Sequence, residues 1–264
     1  MQVRADRVSL EGPHGTLLPP TSLTVEDGCV TLVHGEPGVG ITALGLALAG
    51  RVKPTTGTVT ADVAGLLRDL VAVVDAPGVS EPDEALPLRV VAGEELALAH
   101  RPAGKEDVAR WLADHDAAPF AGTRFENLEP ALRTRLLAEL AAERTGVRVL
   151  VLDTPDRHTS LVDTWTAVAE EHARRGLAVA VLTATTPAVA LPHPPARIGS
   201  TEQPAPVRLL AVNEAPEAPE EPVAPKHRAP EHRNAEHTSL EHTTEEPSIE
   251  QPLTEQFSAE GEKA

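Results

Sequence analysis

A glycine-rich segment near the amino terminus has the residue types that bind phosphate. Gly35, Gly38 and Gly40 lie between a predicted strand and a predicted helix in the run VTLVHGEPGVGITALGLALAG. Glycines let a loop wrap with its N–H groups inward, and the following helix presents its positive amino-terminal end. Thr42 lies where a hydroxyl would contact magnesium. The residues of this predicted phosphate loop are Gly35, Glu36, Pro37, Gly38, Val39, Gly40, Ile41, Thr42 and Ala43.

One position of the loop departs from the pattern typical of phosphate loops. The pattern GxxxxGK[ST] has a lysine before the hydroxyl residue, and here that position is Ile41. The lysine contacts the β- and γ-phosphates and neutralises charge in the transition state, and an aliphatic side chain can do neither. From the loop alone two interpretations stay open. It is a phosphate site that has lost its lysine, or a tight strand-to-helix turn with no ligand.

Strands and helices alternate on both sides of this loop. Strands are predicted over residues 23–25, 29–34, 70–74, 147–153 and 177–183. Helices are predicted over residues 42–49, 105–114, 131–143 and 160–175. Short apolar strands that alternate with helices indicate an α/β fold with a mostly parallel core sheet. Because only 2% of the residues are aromatic, the core is expected to consist of Val, Leu and Ala.

The order of these segments along residues 1 to about 210 resembles the ATP-binding subunit of ABC transporters. SLTVEDGCVTLVHG is similar to the family's paired strands with a turn glycine, here Gly28. AGRVKPTTGTV is similar to the stretch after the phosphate loop, with Pro54 and Gly57 in its Pro-x-x-Gly. VRVLVLDTPD looks like the second phosphate-site motif, which ends in Asp153. The resemblance implies a P-loop NTPase fold with a mostly parallel core sheet, a small antiparallel β part and a helical insertion.

The resemblance also implies roles for individual residues. Asp153 would hold Mg²⁺ through water and Thr42 would contact the same ion, so ATP and Mg²⁺ are the implied cofactors. The glutamate that polarises the attacking water is replaced by Thr154, and threonine is a poor base at neutral pH. The histidine after the last core strand is replaced by Ala184. No intact catalytic residue is therefore predicted, and hydrolysis by this chain is expected to be absent or very slow.

Three further positions of the family pattern have changed. The signature Leu-Ser-Gly-Gly-Gln, which in the family contacts the γ-phosphate of the ATP bound to the partner subunit, aligns with LEPAL at residues 128–132. The glutamine that precedes the helical insertion aligns with Ala76, or with Asp75 if one residue is counted differently. The aromatic residue that stacks on adenine falls near Gly12, which leaves His14 as the nearest ring.

Charge and composition restrict the partners and the location. A net charge of -17 excludes broad binding to nucleic acid or to anionic membranes, because both require a basic surface. Neither a signal-peptide pattern nor a membrane-spanning apolar run is found, and the single Cys29 cannot form an internal disulfide. We therefore expect a cytoplasmic protein, held at the cytoplasmic face of the membrane through a partner.

Composition also divides the chain. Residues 1–212 are predicted to form the ATP-binding domain, with a helical subdomain at about residues 85–143. Residues 213–264 are rich in Glu, Pro and His and are predicted to be a disordered acidic tail. Histidines recur there every five residues, and a solvated linker is favoured over a metal site because the chain would have to be ordered to chelate. The histidines are His227, His232, His237 and His242.

Three functional hypotheses follow. The first is a degenerate ATP-binding subunit that binds nucleotide weakly and couples to a membrane permease subunit or to an active second ATP-binding subunit. The second is an interaction scaffold that keeps the fold, binds no nucleotide and recruits partners through its acidic tail. The third, a small-molecule kinase, is weaker because such enzymes also rely on the lysine that Ile41 replaces.

Overall fold

The computed structural model describes residues 1–209. The strands are β1 Gln2–Gly12, β2 Gly15–Glu26, β3 Cys29–His34, β4 Thr56–Ala61, β5 Val71–Val74, β6 Val149–Asp153, β7 Ala178–Thr183, β8 Ala196–Arg197 and β9 Val207–Arg208. The helices are α1 Ile41–Leu48, α2 Leu67–Leu70, α3 Leu88–Leu98, α4 Lys105–Asp114, α5 Pro130–Ala142 and α6 Val162–Arg174. The predicted tail of residues 213–264, with its histidine repeat, lies outside the described residues.

The core sheet has the strand order β5-β6-β7-β3-β8, and every neighbouring pair along this path is parallel. β9 adds an antiparallel strand on β3. Parallel strands buried on both faces are expected to be continuously apolar. This explains β5, β6 and β7, whose residues are all buried. Their carboxyl ends therefore meet at one edge of the sheet.

The two faces of the core sheet pack against different layers. Along β6, Leu150 and Leu152 pack in a cluster with α3, α4, α5 and α6, whereas Val149 and Val151 pack with α1 and the antiparallel sheet. Successive side chains of a strand point to opposite faces, so this alternation places the sheet between two layers. Trp165 is fully buried on the helical side and packs in this cluster.

The antiparallel sheet has the order β2-β1-β4 in the described part of the chain. β1 pairs with β2 from Gln2 opposite Glu26 to Gly12 opposite Gly15, so a tight turn joins them. Its apolar side packs on α1 in the same cluster as Val149 and Val151. This sheet therefore lies directly above the helix that follows the phosphate loop.

The predicted helical insertion contains α3, α4 and α5. The bounds of α4 and α5 agree with the helices predicted from sequence within one residue at each end, whereas α3 was not predicted, because Gly93 in its middle lowers the helix propensity. The strand predicted over residues 147–153 begins two residues later, since Val147 donates to the carbonyl of Arg144 in a turn. Within residues 1–209 no helix combines the length and the apolar character needed to cross a bilayer.

Candidate functional site

The predicted phosphate loop joins β3 to α1 at the carboxyl edge of the core sheet. The N–H of Gly35 donates to the carbonyl oxygen of Thr183 at 3.1 Å, which fastens the start of the loop to β7. Gly40 has a φ of 81°, and a Cβ there would overlap the carbonyl oxygen of Leu17. Gly38 has a φ of 87°, and a Cβ there would meet no atom within 4 Å. Gly40 thus allows the backbone of Leu17 to approach the loop closely, whereas Gly38 leaves open space beside it.

The remaining loop residues differ in exposure. Glu36, Pro37 and Gly38 are exposed, whereas Val39, Thr42 and Ala43 are half-buried. The carboxylate of Glu36 lies 3.9 Å from Nε2 of His34 and is largely solvated. An acidic group on a loop that would bind phosphates opposes an anionic ligand.

Ile41 lies where the lysine of a phosphate loop would be. Its side chain is 7% exposed and belongs to the same core cluster as Val33 and Leu44. It also lines a cavity of about 480 Å³ between the loop and the antiparallel sheet. The lining is mainly apolar, and the charged residue among its described members is Glu11. The lining residues are Leu10, Glu11, Leu17, Gly38, Gly40, Ile41, Thr42, Ala43, Leu46 and Val52.

Thr42 and Asp153 meet at the centre of the candidate site. The Thr42 hydroxyl donates a hydrogen bond of 3.2 Å to Oδ1 of Asp153, whose side chain is 1% exposed. Burial raises the pKa of Asp153 to about 6, and the Thr42 hydrogen bond only partly offsets this effect. Oδ2 of Asp153 has no hydrogen-bond partner among the described residues.

These two residues fit a hard divalent cation. Mg²⁺ prefers oxygen ligands such as carboxylates and hydroxyls, and it usually keeps several waters. A buried carboxylate oxygen without a donor is costly, and a cation would satisfy it. Thr42 and Asp153, which the sequence assigned to magnesium, are therefore brought together by the fold, and the ion would supply charge neutralisation there.

Thr154 follows Asp153 in a left-handed conformation, with a φ of 48°. Its hydroxyl oxygen accepts a hydrogen bond of 3.3 Å from Nη1 of Arg157. The position that would hold a water-activating carboxylate therefore holds a neutral hydroxyl bonded to an arginine. Such a group cannot take a proton from water at neutral pH.

Asp156 is a structural residue that the sequence analysis did not single out. Its Oδ2 accepts N–H bonds from Ala184 at 3.0 Å, Thr185 at 2.7 Å and Thr186 at 2.7 Å, and an O–H bond from Thr185. Successive N–H groups that converge on one oxygen form an anion-binding concavity. Ala184, where the family histidine is missing, thus belongs to a turn held by an internal carboxylate. An acid three residues beyond Asp153 was the signal available in the sequence.

The residues 128–132 form the amino-terminal end of α5. Glu129 is its N-cap residue, and Oε2 accepts a hydrogen bond of 3.1 Å from the N–H of Leu132. Pro130 is the first helical residue, a position where proline costs no helical hydrogen bond. The positive end of the helix is therefore already met by a carboxylate of this chain, which disfavours a second anion there.

Asp75 and Ala76 lie at the carboxyl end of β5, and both are buried. The carboxylate of Asp75 accepts hydrogen bonds of 2.9 and 3.1 Å from Arg133 and lies 3.0 Å from Nε2 of His158. Burial alone would raise the pKa of Asp75, but the hydrogen bonds from His158 and Arg133 hold that pKa below its usual value. The position of the family glutamine is therefore occupied by an ion-paired acid or its alanine neighbour.

The predicted adenine position lies at the edge of the cavity. Leu10 and Glu11 of β1 line it, whereas Gly12 and His14 are not among the described lining residues. His14 is exposed in the turn between β1 and β2. The described structure therefore provides an apolar wall for a base, without an aromatic ring on it.

Comparisons with known proteins bear on the fold. No protein-family model matches the chain. The chain is 29% identical over 165 residues to an ABC transporter ATP-binding/permease protein of Mycobacterium tuberculosis, which covers 59% of this chain and 19% of that protein. This chain therefore spans about a fifth of the length of that curated relative.

Two solved structures are similar in fold. An ABC transporter ATP-binding protein from Pyrococcus furiosus gives a TM-score of 0.55 at 14% identity, covering 75% of this chain and 96% of that one. An ATP-binding subunit of an ABC transporter gives a TM-score of 0.51 at 14% identity, covering 70% and 80%. The resemblance stated from the sequence is confirmed. The predicted α/β fold is also confirmed, with its mostly parallel core sheet and small antiparallel sheet.

Proposed function

We propose that this chain, which has the fold of ABC transporter ATP-binding subunits, binds magnesium nucleotide weakly and hydrolyses it very slowly or not at all. The observation that carries the proposal is the meeting of Thr42 and Asp153 beside an open glycine loop. Two oxygen groups positioned for Mg²⁺ would hold the metal of a nucleotide complex even where a lysine contact is lost. The site would then bind nucleotide without hydrolysing it at an appreciable rate.

Weak affinity follows from the charges around the loop. The cavity beside it contains Ile41 and Glu11, and the loop itself carries Glu36. A triphosphate would therefore gain backbone N–H bonds and a metal contact, but no lysine contact. Slow hydrolysis follows from Thr154 and Ala184, which supply neither a general base nor a histidine.

Coupling to a partner is the second part of the proposal. The proteins that share this fold are named as ATP-binding subunits of ABC transporters, and the curated relative is named as an ATP-binding/permease protein. We propose that this chain docks on a membrane permease subunit from the cytoplasmic side, or pairs with an active ATP-binding subunit. Its charge of -17 disfavours direct contact with anionic lipid or nucleic acid.

Calorimetric titration of the full chain with Mg-ATP, together with a phosphate-release assay, tests the proposal. The expected result is binding in the high-micromolar range without phosphate release above a buffer blank. A Thr42→Val/Asp153→Asn double variant should lose the magnesium-dependent part of that binding. Steady phosphate release by the wild type that the double variant lacks would contradict the account of Thr154 and Ala184.

A scaffold function is the second candidate, and the burial of Ile41 favours it. A side chain that packs in the core contributes to folding whether or not a ligand binds, so selection on the fold alone would keep it. The N-cap bond of Glu129 also favours a scaffold function, because its carboxylate occupies the helix end where a phosphate could otherwise bind. No heat change with Mg-ATP or Mg-ADP up to millimolar concentration would favour this candidate over the first.

A further inference from the structure

A cluster of charged side chains lies at the carboxyl edge of the core sheet, beside the candidate site. We name it the Asp75 cluster. Its members are Asp75, Glu81, Glu84, Arg133, Arg157 and His158.

Arg133 is the centre of the cluster. It donates to both carboxylate oxygens of Asp75, at 2.9 and 3.1 Å, and to Oε1 of Glu84 at 3.2 Å. Its guanidinium also lies 4.6 Å from the ring centroid of Phe125. The side chains of Arg133 and Asp75 are 4% and 8% exposed, so neither charge can be left without its partner at low cost.

Arg157 and His158 connect the same carboxylate to β6. Nη2 of Arg157 lies 3.0 Å from Oε1 of Glu81 and 3.2 Å from Oδ1 of Asp75. Nη1 of the same arginine donates to the carbonyl oxygen of Asp153 at 2.7 Å. One arginine therefore bridges the end of β6 and the segment that follows β5.

The cluster joins three parts of the chain that are far apart in sequence. Asp75, Glu81 and Glu84 belong to the connection between β5 and α3, Arg133 belongs to the first turns of α5, and Arg157 follows β6. The helical segment consists of α3, α4 and α5. The ion pairs consequently join the connection before α3 and the first turn of α5 to the carboxyl edge of the core sheet.

A metal ion is a poor explanation for this cluster. Asp75, Glu81 and His158 lie close enough together to be considered as ligands. Both oxygens of Asp75 already accept hydrogen bonds, however, and Arg133 and Arg157 place positive charge against them. A divalent cation would have to displace both arginines from a buried site.

We propose that the Asp75 cluster is a permanent latch that holds the helical segment against the core sheet in the absence of nucleotide. The segment and the sheet edge are then held together by the chain's own charges and not by a bound ligand. This inference does not require nucleotide to bind. It would stand if the proposed function failed.

Hydrogen exchange of the nucleotide-free full chain tests the latch. The amides of Ala76, Val79, Ser80 and Glu81 have acceptors within the connection after β5, so they report on its opening. In the wild type they should exchange as slowly as amides of the helical segment. In Arg157→Ala they should exchange at least about tenfold faster, because opening no longer breaks the ion pairs of Arg157 with Asp75 and Glu81.

Two further variants complete the test. Arg124→Ala removes an exposed arginine with a single surface pair to Glu126 and should leave these rates unchanged. Asp75→Asn keeps the side-chain shape, and its faster exchange should extend to the first turn of α5. If Asp75→Asn fails to fold, Glu81→Gln takes its place and should speed exchange mainly in the connection, since Glu81 lies 3.0 Å from Arg157 but 3.9 Å from Arg133 of α5.

Two outcomes would overturn the proposal. One is an Arg157→Ala exchange pattern identical to that of the wild type. The other is a wild-type connection that exchanges quickly when free and slows by about tenfold with saturating Mg-ATP, because nucleotide would then be the ordering agent. Titration of Mg-ATP in the same samples reports the proposed function separately.

Discussion

The Thr42 hydroxyl and the Asp153 carboxylate are joined by a hydrogen bond although they lie 111 positions apart in the sequence. The bond links the first turn of α1 to the end of β6 at the carboxyl edge of the core sheet. The loop at residues 35–43 and the strand that ends in Asp153, which both resemble phosphate-site motifs, are therefore in direct contact. The predictions below follow from that contact and from the groups around it.

Magnesium should stabilise the folded chain through Asp153. At about ten times its dissociation constant a ligand adds about 1.4 kcal/mol to the free energy of unfolding. For a domain of this size that gain raises the melting temperature by about 3 °C. Asp153→Asn should abolish the rise, whereas Asp163→Asn, at an exposed position of α6, should keep it. Calorimetric melting with and without MgCl₂ at constant ionic strength measures the difference, and an unchanged rise in Asp153→Asn would remove Asp153 from the site.

Restoring lysine at position 41 should strengthen nucleotide binding. Ile41→Lys adds a charge-assisted contact, and we expect Mg-ATP to bind about tenfold tighter or more. Ile41→Met is the matched control because it has similar length without charge. Phosphate release should stay at the blank in both variants, since Thr154 is unchanged. Titration calorimetry decides, and equal affinities of the two folded variants would show that the loop does not contact phosphate.

Gly40 and Gly38 should respond differently to alanine. Both have positive φ, which costs alanine about 1 kcal/mol or more. Gly40→Ala also forces a methyl group into the carbonyl of Leu17, so its total loss of stability should reach about 3 kcal/mol. Gly38→Ala should lose only the cost of the positive φ, about 1 kcal/mol, because its Cβ would meet open space. Urea unfolding measures both, and equal losses would place the strain elsewhere in the loop.

The stability of the chain should fall in acid because of His172. Burial lowers the pKa of His172 to about 4 from 6.5, so the unfolded chain binds the proton first as the pH falls. The contribution of neutral His172 to the free energy of unfolding is fully present above pH 6.5. It is lost as the pH falls towards 4, which lowers the free energy of unfolding by about 3 kcal/mol. His172→Leu should flatten that decrease, while His14→Leu at an exposed turn should not. Urea unfolding at several pH values gives the slopes, and parallel curves for wild type and His172→Leu would refute the assignment.

The sequence predicted the core sheet well because its signal is local. Val149–Asp153 and Ala178–Thr183 are continuous apolar runs, and such runs are typical of parallel strands buried on both faces. The turn between β3 and α1 was equally predictable, since its glycines mark the point where a strand ends and a helix begins. Helix α3 was missed because Gly93 weakens its signal, although its buried face is set by packing against α4.

Parts of the site could not be predicted because they depend on distant partners. Asp156 was one acid among many until the fold placed it under the N–H groups of residues 184–186. The ion pairs of Arg133 likewise join residues that the sequence spacing does not relate. Position 41 could be identified as a lost lysine, but its burial in the core appeared only in the structure.

The burial of Ile41 places two opposite demands on one side chain. Lysine at position 41 would remove a packed side chain worth about 2 kcal/mol of folding free energy. The same lysine would bring a charge to the edge of the cavity beside the loop, where an anion could contact it. Position 41 is therefore a site where stability of the fold and affinity for an anionic ligand cannot both be maximal.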